Sequence, residues 1–299
     1  THPKGIIELR EAISKENYKL HNKYVNPDNI VVSPGGKAII YISILMTAEI
    51  GTEVIIHDPS FPIYSSVIKY AGAIPISVNL KENNSFSLNA QDILNKINDK
   101  TRLIILNFPN NPTGGVYYKN ELDLLINGLE KHPKISILSD EIYSKFVFNK
   151  KKFISLIEYK EIKDRLIVIN GLSKSFAMTG FRIGWGIFPD KMIEIAEKYA
   201  TNIYSCVNTV AQYSAIKAIN NDQKFIYKML QSFNKRSKLL TKGLNKVKGF
   251  SCIKPNGSFY CFPNISKTKM SSLDLQNRLL NEAGIATIAG SSFGKCGEG

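Results

Sequence analysis

The segment 171–184 contains a lysine in a setting that could make it a nucleophile. Lys174 follows a predicted strand, among the small and apolar residues of Gly-Leu-Ser-Lys-Ser-Phe-Ala-Met-Thr-Gly-Phe-Arg-Ile-Gly. Burial lowers the pKa of a lysine, and the uncharged amine can form a Schiff base with a carbonyl compound. Arg182, eight residues further on, could bind an anion. The alternative is a loop lysine on the surface, since the chain has 39 Lys and Arg residues.

Asp140 and Tyr143 form a second candidate pair, in the run Ser139-Asp-Glu-Ile-Tyr143. A carboxylate at the end of a buried strand is costly unless it pairs with a cation or accepts hydrogen bonds. Tyr143 would lie on the same side if the segment turns helically. The alternative is that Asp140 is only a helix N-cap.

Two loops rich in glycine and proline also follow predicted strands. In Ser33-Pro-Gly-Gly-Lys37, the glycines allow a tight turn that exposes backbone N–H groups at a helix N-terminus, which is a general phosphate site. The loop Phe108-Pro-Asn-Asn-Pro-Thr-Gly-Gly115 fixes an unusual backbone path and could direct the amide of Asn111 at a ligand. An ordinary turn is the alternative for each loop.

Alternating strand and helix patterns predict the sheet that would bring these loops together. Such order favours an α/β fold, a mostly parallel but mixed sheet sandwiched by helices, with the loops at the carboxyl ends of its strands. The predicted strands are 30–32, 53–57, 74–78, 103–106, 135–138, 166–169 and 182–188.

The C-terminal part of the sequence predicts a second, smaller unit. The pattern from 209 to 247 is helical, with a weak break at 220–222, and is followed by predicted strands at 250–253, 258–263 and 285–288 around a helix at 271–283. We therefore predict a large domain over 1–235 and a small, incomplete α+β domain over 236–299, joined by a long helix at about 222–248.

Composition excludes several classes of protein. With 43% hydrophobic and 21% charged residues, the 299-residue chain is not intrinsically disordered, and no apolar run has the length of a membrane span. The net charge of +14 could indicate a nucleic-acid partner, but the lysines are spread along the chain, which favours a solvated surface. The four cysteines form no C-x-x-C pair, and no metal site is expected.

The four loops together resemble one family. The run 171–184 matches, position by position, the pyridoxal-phosphate attachment signature of class I and II aminotransferases. The runs Asn110–Gly114, Asp140–Tyr143, Gly5–Arg10 and Pro255–Tyr260 are similar to family segments and occur in the family order. The resemblance covers nearly the whole chain and is closest to the aspartate aminotransferase-like branch of the fold type I enzymes.

The resemblance implies a role for each candidate residue. Lys174 would bind pyridoxal 5'-phosphate covalently and then act as the catalytic base, Asp140 would pair with the pyridine nitrogen, and Tyr143 would contact the ring oxygen. The implied cofactor-binding residues are Gly36, Lys37, Phe61, Asn111, Asp140, Tyr143, Ser173, Lys174 and Arg182.

The chain also departs from the family pattern. Gly171 stands where many relatives have a phosphate-binding serine. The family's cross-subunit tyrosine would lie upstream of Thr1, and its arginine for the substrate α-carboxylate would lie beyond Gly299. We therefore expect a fragment that folds its sheet and binds the cofactor but transfers amino groups poorly, unless another arginine such as Arg10 or Arg236 replaces the missing one.

The resemblance implies a transaminase that moves an amino group between an L-amino acid and a 2-oxo acid, with aspartate and 2-oxoglutarate favoured. It implies a cytoplasmic homodimer with shared active sites, with neither a nucleic-acid nor a membrane partner. Two alternatives remain open: a ligand-sensing aminotransferase-like domain of a transcription regulator, and a related carbon–sulfur lyase.

Overall fold

The computed structural model describes residues 1–148 and 152–299. Strands and helices alternate through the first two thirds of the chain, as the sequence predicts. The strands are β1 (Ile30–Ser33), β2 (Glu53–Asp58), β3 (Ile74–Asn79), β4 (Thr101–Asn107), β5 (Ser136–Asp140), β6 (Leu166–Gly171) and β7 (Gly184–Ile187). The helices are α1 (Ile7–His21), α2 (Gly36–Thr47), α3 (Ile63–Tyr70), α4 (Ala90–Leu94), α5 (Lys119–Leu129), α6 (Asp190–Tyr204), α7 (Thr209–Asn220), α8 (Lys224–Leu244) and α9 (Ser272–Ala283).

Within the described residues, these strands form one sheet in the order β1-β7-β6-β5-β4-β2-β3. Neighbouring strands from β6 to β3 pair in parallel, while β7 is antiparallel to both β6 and β1. The carboxyl ends of β1, β2, β4, β5 and β6 therefore meet at the same edge, where β7 begins. The predicted α/β fold with a mixed, mostly parallel sheet is confirmed.

Both faces of the sheet are buried because successive residues of its central strands point to opposite sides. Ile105 of β4 packs with α2, α3 and α6 on one face, whereas its neighbour Ile104 packs with α4 and α5 on the other. A third cluster joins α1 and α7 beside β1. This enclosure holds the strand ends, and the loops that follow them, in fixed positions.

The helical pattern at 209–247 forms two helices, and the second of them, α8, corresponds to the long helix predicted at about 222–248. Helix α7 ends at Asn220, Asn221 takes an extended conformation, and α8 begins at Lys224. The side chain of Asp222 accepts a hydrogen bond of 2.8 Å from the Lys224 backbone N–H, so it satisfies a donor at the start of the second helix. The break expected to be weak is thus complete.

The strands predicted at 250–253, 258–263 and 285–288 are wrong. Within the described residues, Ser251 of the first region forms an isolated bridge with Asn264, Gly257 just before the second region forms one with Val147, and 258–263 and 285–288 form none. An apolar run becomes a strand only where a neighbouring segment pairs with its N–H and C=O groups. The helix predicted at 271–283 is formed as α9. The domain boundary at 235/236 falls inside α8 and remains a prediction.

The strand predicted at 182–188 is shorter, because Arg182 has a φ of 54° and so cannot extend the strand. In the described part of the chain, no helix has the length and apolarity needed to cross a membrane.

The buried carboxylate of Glu141 connects the segment that follows β5 to the loop around residue 155. Glu141 accepts hydrogen bonds from the hydroxyls of Ser139 and Ser155 and from the Leu156 backbone N–H. Burial raises the pKa of Glu141 to about 7, against the opposing effect of these donors. The Glu141 carboxyl therefore keeps its proton to a higher pH in the folded protein than in the unfolded chain.

We expect this group to make stability depend on pH. Because the folded pKa of about 7 exceeds the reference value of 4.5, the stabilisation is complete below pH 4.5 and is lost as pH rises to 7. The loss should amount to about 3 kcal/mol of unfolding free energy. Denaturant titrations across this range should show a flatter pH profile for Glu141→Gln, and an unaltered one for the exposed control Glu8→Gln. An unchanged slope in Glu141→Gln would contradict this assignment.

Candidate active site

A cavity of about 310 Å³ opens at the sheet edge where the strand ends meet. It receives residues from the loops after β1, β2, β4, β5 and β6, as the parallel topology requires. Every residue predicted from the sequence lines it: Gly36, Lys37, Phe61, Asn111, Asp140, Tyr143, Ser173, Lys174 and Arg182. Additional lining residues that sequence reasoning did not single out are Ile40, Tyr64, Asn107, Ile142, Thr179 and Tyr260.

Lys174 presents its amine to this cavity from the loop after β6. Its Nζ lies 5.6 Å from the centroid of the Phe259 ring. Burial, together with the nearby charges of Arg182 and Lys37, holds the pKa of Lys174 below that of an ordinary lysine. A lowered pKa increases the fraction of uncharged amine, which is the nucleophilic form.

Asp140 occupies the end of β5 and is 4% exposed. Its Oδ2 accepts a hydrogen bond of 2.7 Å from the Tyr64 hydroxyl, and its Oδ1 accepts one of 3.2 Å from the Ile142 N–H. Burial raises the pKa of Asp140, while both donors act in the opposite direction. Among the described residues no Lys, Arg or His forms a salt bridge with it. The carboxylate is thus available to a cationic group of a ligand.

Asn111 is positioned by a network that fixes the loop after β4. Its backbone N–H donates to Asn107 Oδ1, and the side chain of Asn110 accepts bonds from the N–H and the hydroxyl of Thr113. The side-chain oxygen of Asn111 is buried and has no partner within the described residues. Buried polar atoms are rarely unpaired, so a ligand group is the expected partner.

Tyr143 lies in the turn that follows Asp140. Its hydroxyl is 2.6 Å from that of Tyr260, which comes from a segment more than a hundred residues away. Burial, and then the contact with Tyr260, raise the pKa of Tyr143, so its hydroxyl stays protonated near neutral pH. In the sequence, Tyr260 is notable only as the last residue of the family-like run 255–260.

The other end of the cavity is suited to an anion. The N-terminus of α2 has no side-chain cap, and its N-cap residue Gly35 has a φ of 90°. A Cβ atom on Gly35 would lie 2.5 Å from Nη2 of Arg182, so glycine is needed for this close approach. The guanidinium is held by the backbone oxygens of Thr179 and Pro34. An uncapped helix N-terminus beside an arginine is an anion site.

The ring of Phe61 and the amine of Lys37 complete the wall of the cavity. The Phe61 ring lies 5.3 Å from Nζ of Lys37 and packs edge-on against Tyr64. Gly171 does not line the cavity. A Cβ atom there would lie 3.0 Å from the Cα of Gly184 on β7, so glycine suits the close approach of these two strands.

The two arginines considered for binding the substrate α-carboxylate lie elsewhere. Arg10 bonds to Asp28 and to the backbone oxygen of Pro27, and Arg236 lines a separate groove beside Phe233. In the described ranges, no three His, Cys, Asp or Glu side chains come together as a metal site.

Comparison with known proteins identifies the family. The model of the family "Aminotransferase class I and II" matches residues 1–299. The chain is 38% identical to an aspartate aminotransferase of Sulfurisphaera tokodaii, over 97% of this chain and 73% of that protein. It is 34% identical to a probable aspartate/prephenate aminotransferase of Aquifex aeolicus, over 98% of this chain and 76% of that protein.

A solved structure gives the same result. The aromatic aminotransferase from Pyrococcus horikoshii superposes with a TM-score of 0.96 at 34% identity, over 100% of this chain and 80% of that one. The chain thus spans about three quarters of the length of the proteins it matches. With the family match over the full chain and the same fold in a solved relative, the chain belongs to the class I and II aminotransferases and is a transaminase.

Proposed function

We propose that the chain binds pyridoxal 5'-phosphate in the cavity at the sheet edge and transfers amino groups there, with aspartate and 2-oxoglutarate as the favoured pair. The observation that carries the proposal is the convergence of Lys174, Asp140 and an anion site on one cavity. Family membership implies this cofactor.

The residues present fit the chemical groups of this cofactor. Lys174 can bind its aldehyde carbon, and Asp140 has no cationic partner among the described residues, a place that a protonated pyridine nitrogen would fill. The unpaired oxygen of Asn111 and the hydroxyl of Tyr143 suit the polar substituents of the ring, and Phe61 suits its face. The N-terminus of α2, with Ser173 and Arg182, suits the phosphate.

The residues divide the catalytic work. The bound cofactor supplies an electron-accepting ring that stabilises negative charge at the substrate Cα. Asp140 would stabilise a positive charge on the ring nitrogen by its own negative charge. Lys174 moves the proton at the substrate Cα, because a base with a lowered pKa can accept and return protons near neutral pH. The buried wall around Asp140 and Tyr143 excludes water from the reacting groups.

The charges of the cavity favour an acidic substrate. Lys37, Lys174 and Arg182 line it, and Asp140 is the only acidic residue among its described lining residues. The phosphate and the ring of the cofactor are assigned to other residues above. The Lys37 amine is therefore left to bind the side-chain carboxylate of an acidic substrate. The names of the relatives in Sulfurisphaera tokodaii and Aquifex aeolicus agree with this choice.

A donor panel tests the proposed function. With 2-oxoglutarate as acceptor, we expect kcat/KM for aspartate to exceed that for alanine or phenylalanine by at least about tenfold, since a charge-assisted hydrogen bond to Lys37 has roughly that effect. Lys37→Met should lower the aspartate rate more than the alanine rate. Equal rates for all three donors would contradict the proposed preference. Release of a thiol without an acceptor would indicate the lyase, and ligand binding without turnover would indicate the sensor domain.

We also propose a cytoplasmic homodimer. A second groove, lined by Met178, Phe181 and Val210, shares Arg182 with the cavity, and Val210 is 75% exposed. A second copy covering this groove would approach the phosphate end of the site. The four cysteines are free thiols, which is compatible with a reducing compartment.

A further inference from the structure

Tyr64 is a buried tyrosine that neither the sequence motifs nor the proposed catalytic roles include. It is 1% exposed and lies in the first turn of α3. Its ring packs in the core cluster with α2, while its hydroxyl reaches the cavity and donates to Oδ2 of Asp140 at 2.7 Å. The Phe61 ring, three residues earlier, lies edge-on to it at 5.9 Å. One short segment thus supplies both a cavity wall and a donor to the buried carboxylate.

Few other groups contact the carboxylate of Asp140 besides the Tyr64 hydroxyl. The other hydrogen bond to the carboxylate, within the described residues, comes from the Ile142 N–H and is longer, at 3.2 Å. The side chain of Asn107 contacts the backbone oxygen of Asp140, not its carboxylate. Tyr64 is therefore the side-chain donor on this group, and it contacts one oxygen only, leaving the remaining lone pairs for a ligand.

The acidities of Tyr64 and Asp140 indicate which of them donates the hydrogen bond. Burial and the adjacent Asp140 charge raise the pKa of Tyr64 well above its usual value, so its hydroxyl keeps its proton. Burial alone would favour the neutral form of Asp140, and the hydrogen bond from Tyr64 favours the charged form. The titratable groups that face Asp140 are Tyr64 and Tyr143, with the three cations Lys37, Lys174 and Arg182 also lining the cavity.

We propose that Tyr64 is a positioning residue, whose hydroxyl keeps Asp140 ionised and holds one of its oxygens directed at the ring nitrogen of the cofactor. This inference rests on the proposed function for the identity of that partner. It does not rest on it for the effect of Tyr64 on Asp140, which exists in the protein without cofactor.

The first experiment measures Asp140 in the cofactor-free protein. Infrared or NMR titration of isotope-labelled aspartate, with Asp140→Asn to assign the signal, gives the carboxyl pKa. In Tyr64→Phe we expect that pKa to rise, because the variant removes a donor to the charged form while keeping the ring. The matched control is Tyr117→Phe, which removes another buried tyrosine hydroxyl, bonded to the Ile154 oxygen outside the cavity. An Asp140 pKa that is the same in Tyr64→Phe as in the unaltered protein would overturn the proposal.

The second experiment measures cofactor affinity in a double-mutant cycle. Tyr64→Phe should weaken pyridoxal phosphate binding by about tenfold in the unaltered protein, the effect of one hydrogen bond to a charged group. In the Asp140→Asn background the same change should weaken binding less than about twofold, since Tyr64 then has no charge to hold. An equal loss in both backgrounds would mean that Tyr64 acts through packing, and would overturn the proposal.

Two further observations keep the test decisive. If Tyr64→Phe does not fold, 3-fluorotyrosine at position 64 keeps the ring and strengthens the donor, and should lower the Asp140 pKa; no change would count against the proposal. If the unaltered protein fails to bind pyridoxal phosphate, the proposed function fails, and the titration of the cofactor-free protein still decides the relation between Tyr64 and Asp140.

Discussion

Replacing Lys174 with alanine should lower the rate of amino transfer by at least about 10³-fold, because the change removes both a nucleophile and a general base. The structure supports both roles, since the amine lines the cavity, and burial with two nearby cations lowers its pKa. The rate to measure is that of transfer from aspartate to 2-oxoglutarate by the purified variant. The large effect is expected because no other lysine except Lys37 lines the described cavity, and Lys37 lies against Phe61.

Two control variants separate the effects of charge and of reactivity. Lys174→Arg keeps a positive charge but cannot attack a carbonyl carbon under these conditions, so we expect it to be as inactive as the alanine variant. Lys119→Ala removes an exposed lysine that pairs with Asp123 on α5 and should retain full activity. If the activity of Lys174→Ala were within tenfold of that of the unaltered protein, Lys174 would be a loop lysine without a catalytic role.

The Asp140→Asn variant should retain some cofactor and lose at least about 100-fold in turnover, because removing the adjacent charge costs a few kcal/mol of barrier. Asparagine keeps the shape of the side chain and one oxygen, which can accept either the Ile142 or the Tyr64 hydrogen bond, so the substitution removes the charge and one of the two bonds. Steady-state kinetics with saturating cofactor measures the loss, and Asp123→Asn on the surface of α5 serves as the control.

The outcome also decides between the two interpretations of Asp140. Its bond to the Ile142 N–H is the local contact that a simple cap would make, so that alternative is partly realised in the structure. A cap needs no negative charge, and a variant with near-normal turnover would reduce Asp140 to that role. A loss of the expected size with an unchanged melting temperature would assign its effect to the charge.

The cavity was predictable because its chemistry lies at strand ends. In a mostly parallel sheet, the loops after β1, β4, β5 and β6 must meet at one edge, so motifs far apart in sequence converge. The sequence alone therefore predicts that Lys174 and Asp140 belong to the same site. Gly35 was predictable as a turn, but not as the residue that lets Arg182 approach the helix N-terminus.

Residues that reach the cavity by tertiary packing gave no such signal. Tyr64 looks like any aromatic on the apolar face of a short helix, and only the packing of α3 against α2, β2 and β3 brings its hydroxyl to Asp140. Tyr260 comes from a region where the predicted strands do not form, so local pattern could not give its position. Sequence periodicity describes what a segment can do alone, whereas both of these contacts depend on a distant partner.

The most direct test of the account is the site of covalent cofactor attachment. The purified protein, incubated with pyridoxal 5'-phosphate, reduced with sodium borohydride and digested with trypsin, should yield one dominant pyridoxyl-modified peptide, with the modification on Lys174. Competition by free phosphate should reduce the yield, as the anion site at α2 and Arg182 requires. A peptide map in which Lys174 carries no pyridoxyl group, or in which the label is spread over surface lysines, would contradict the account.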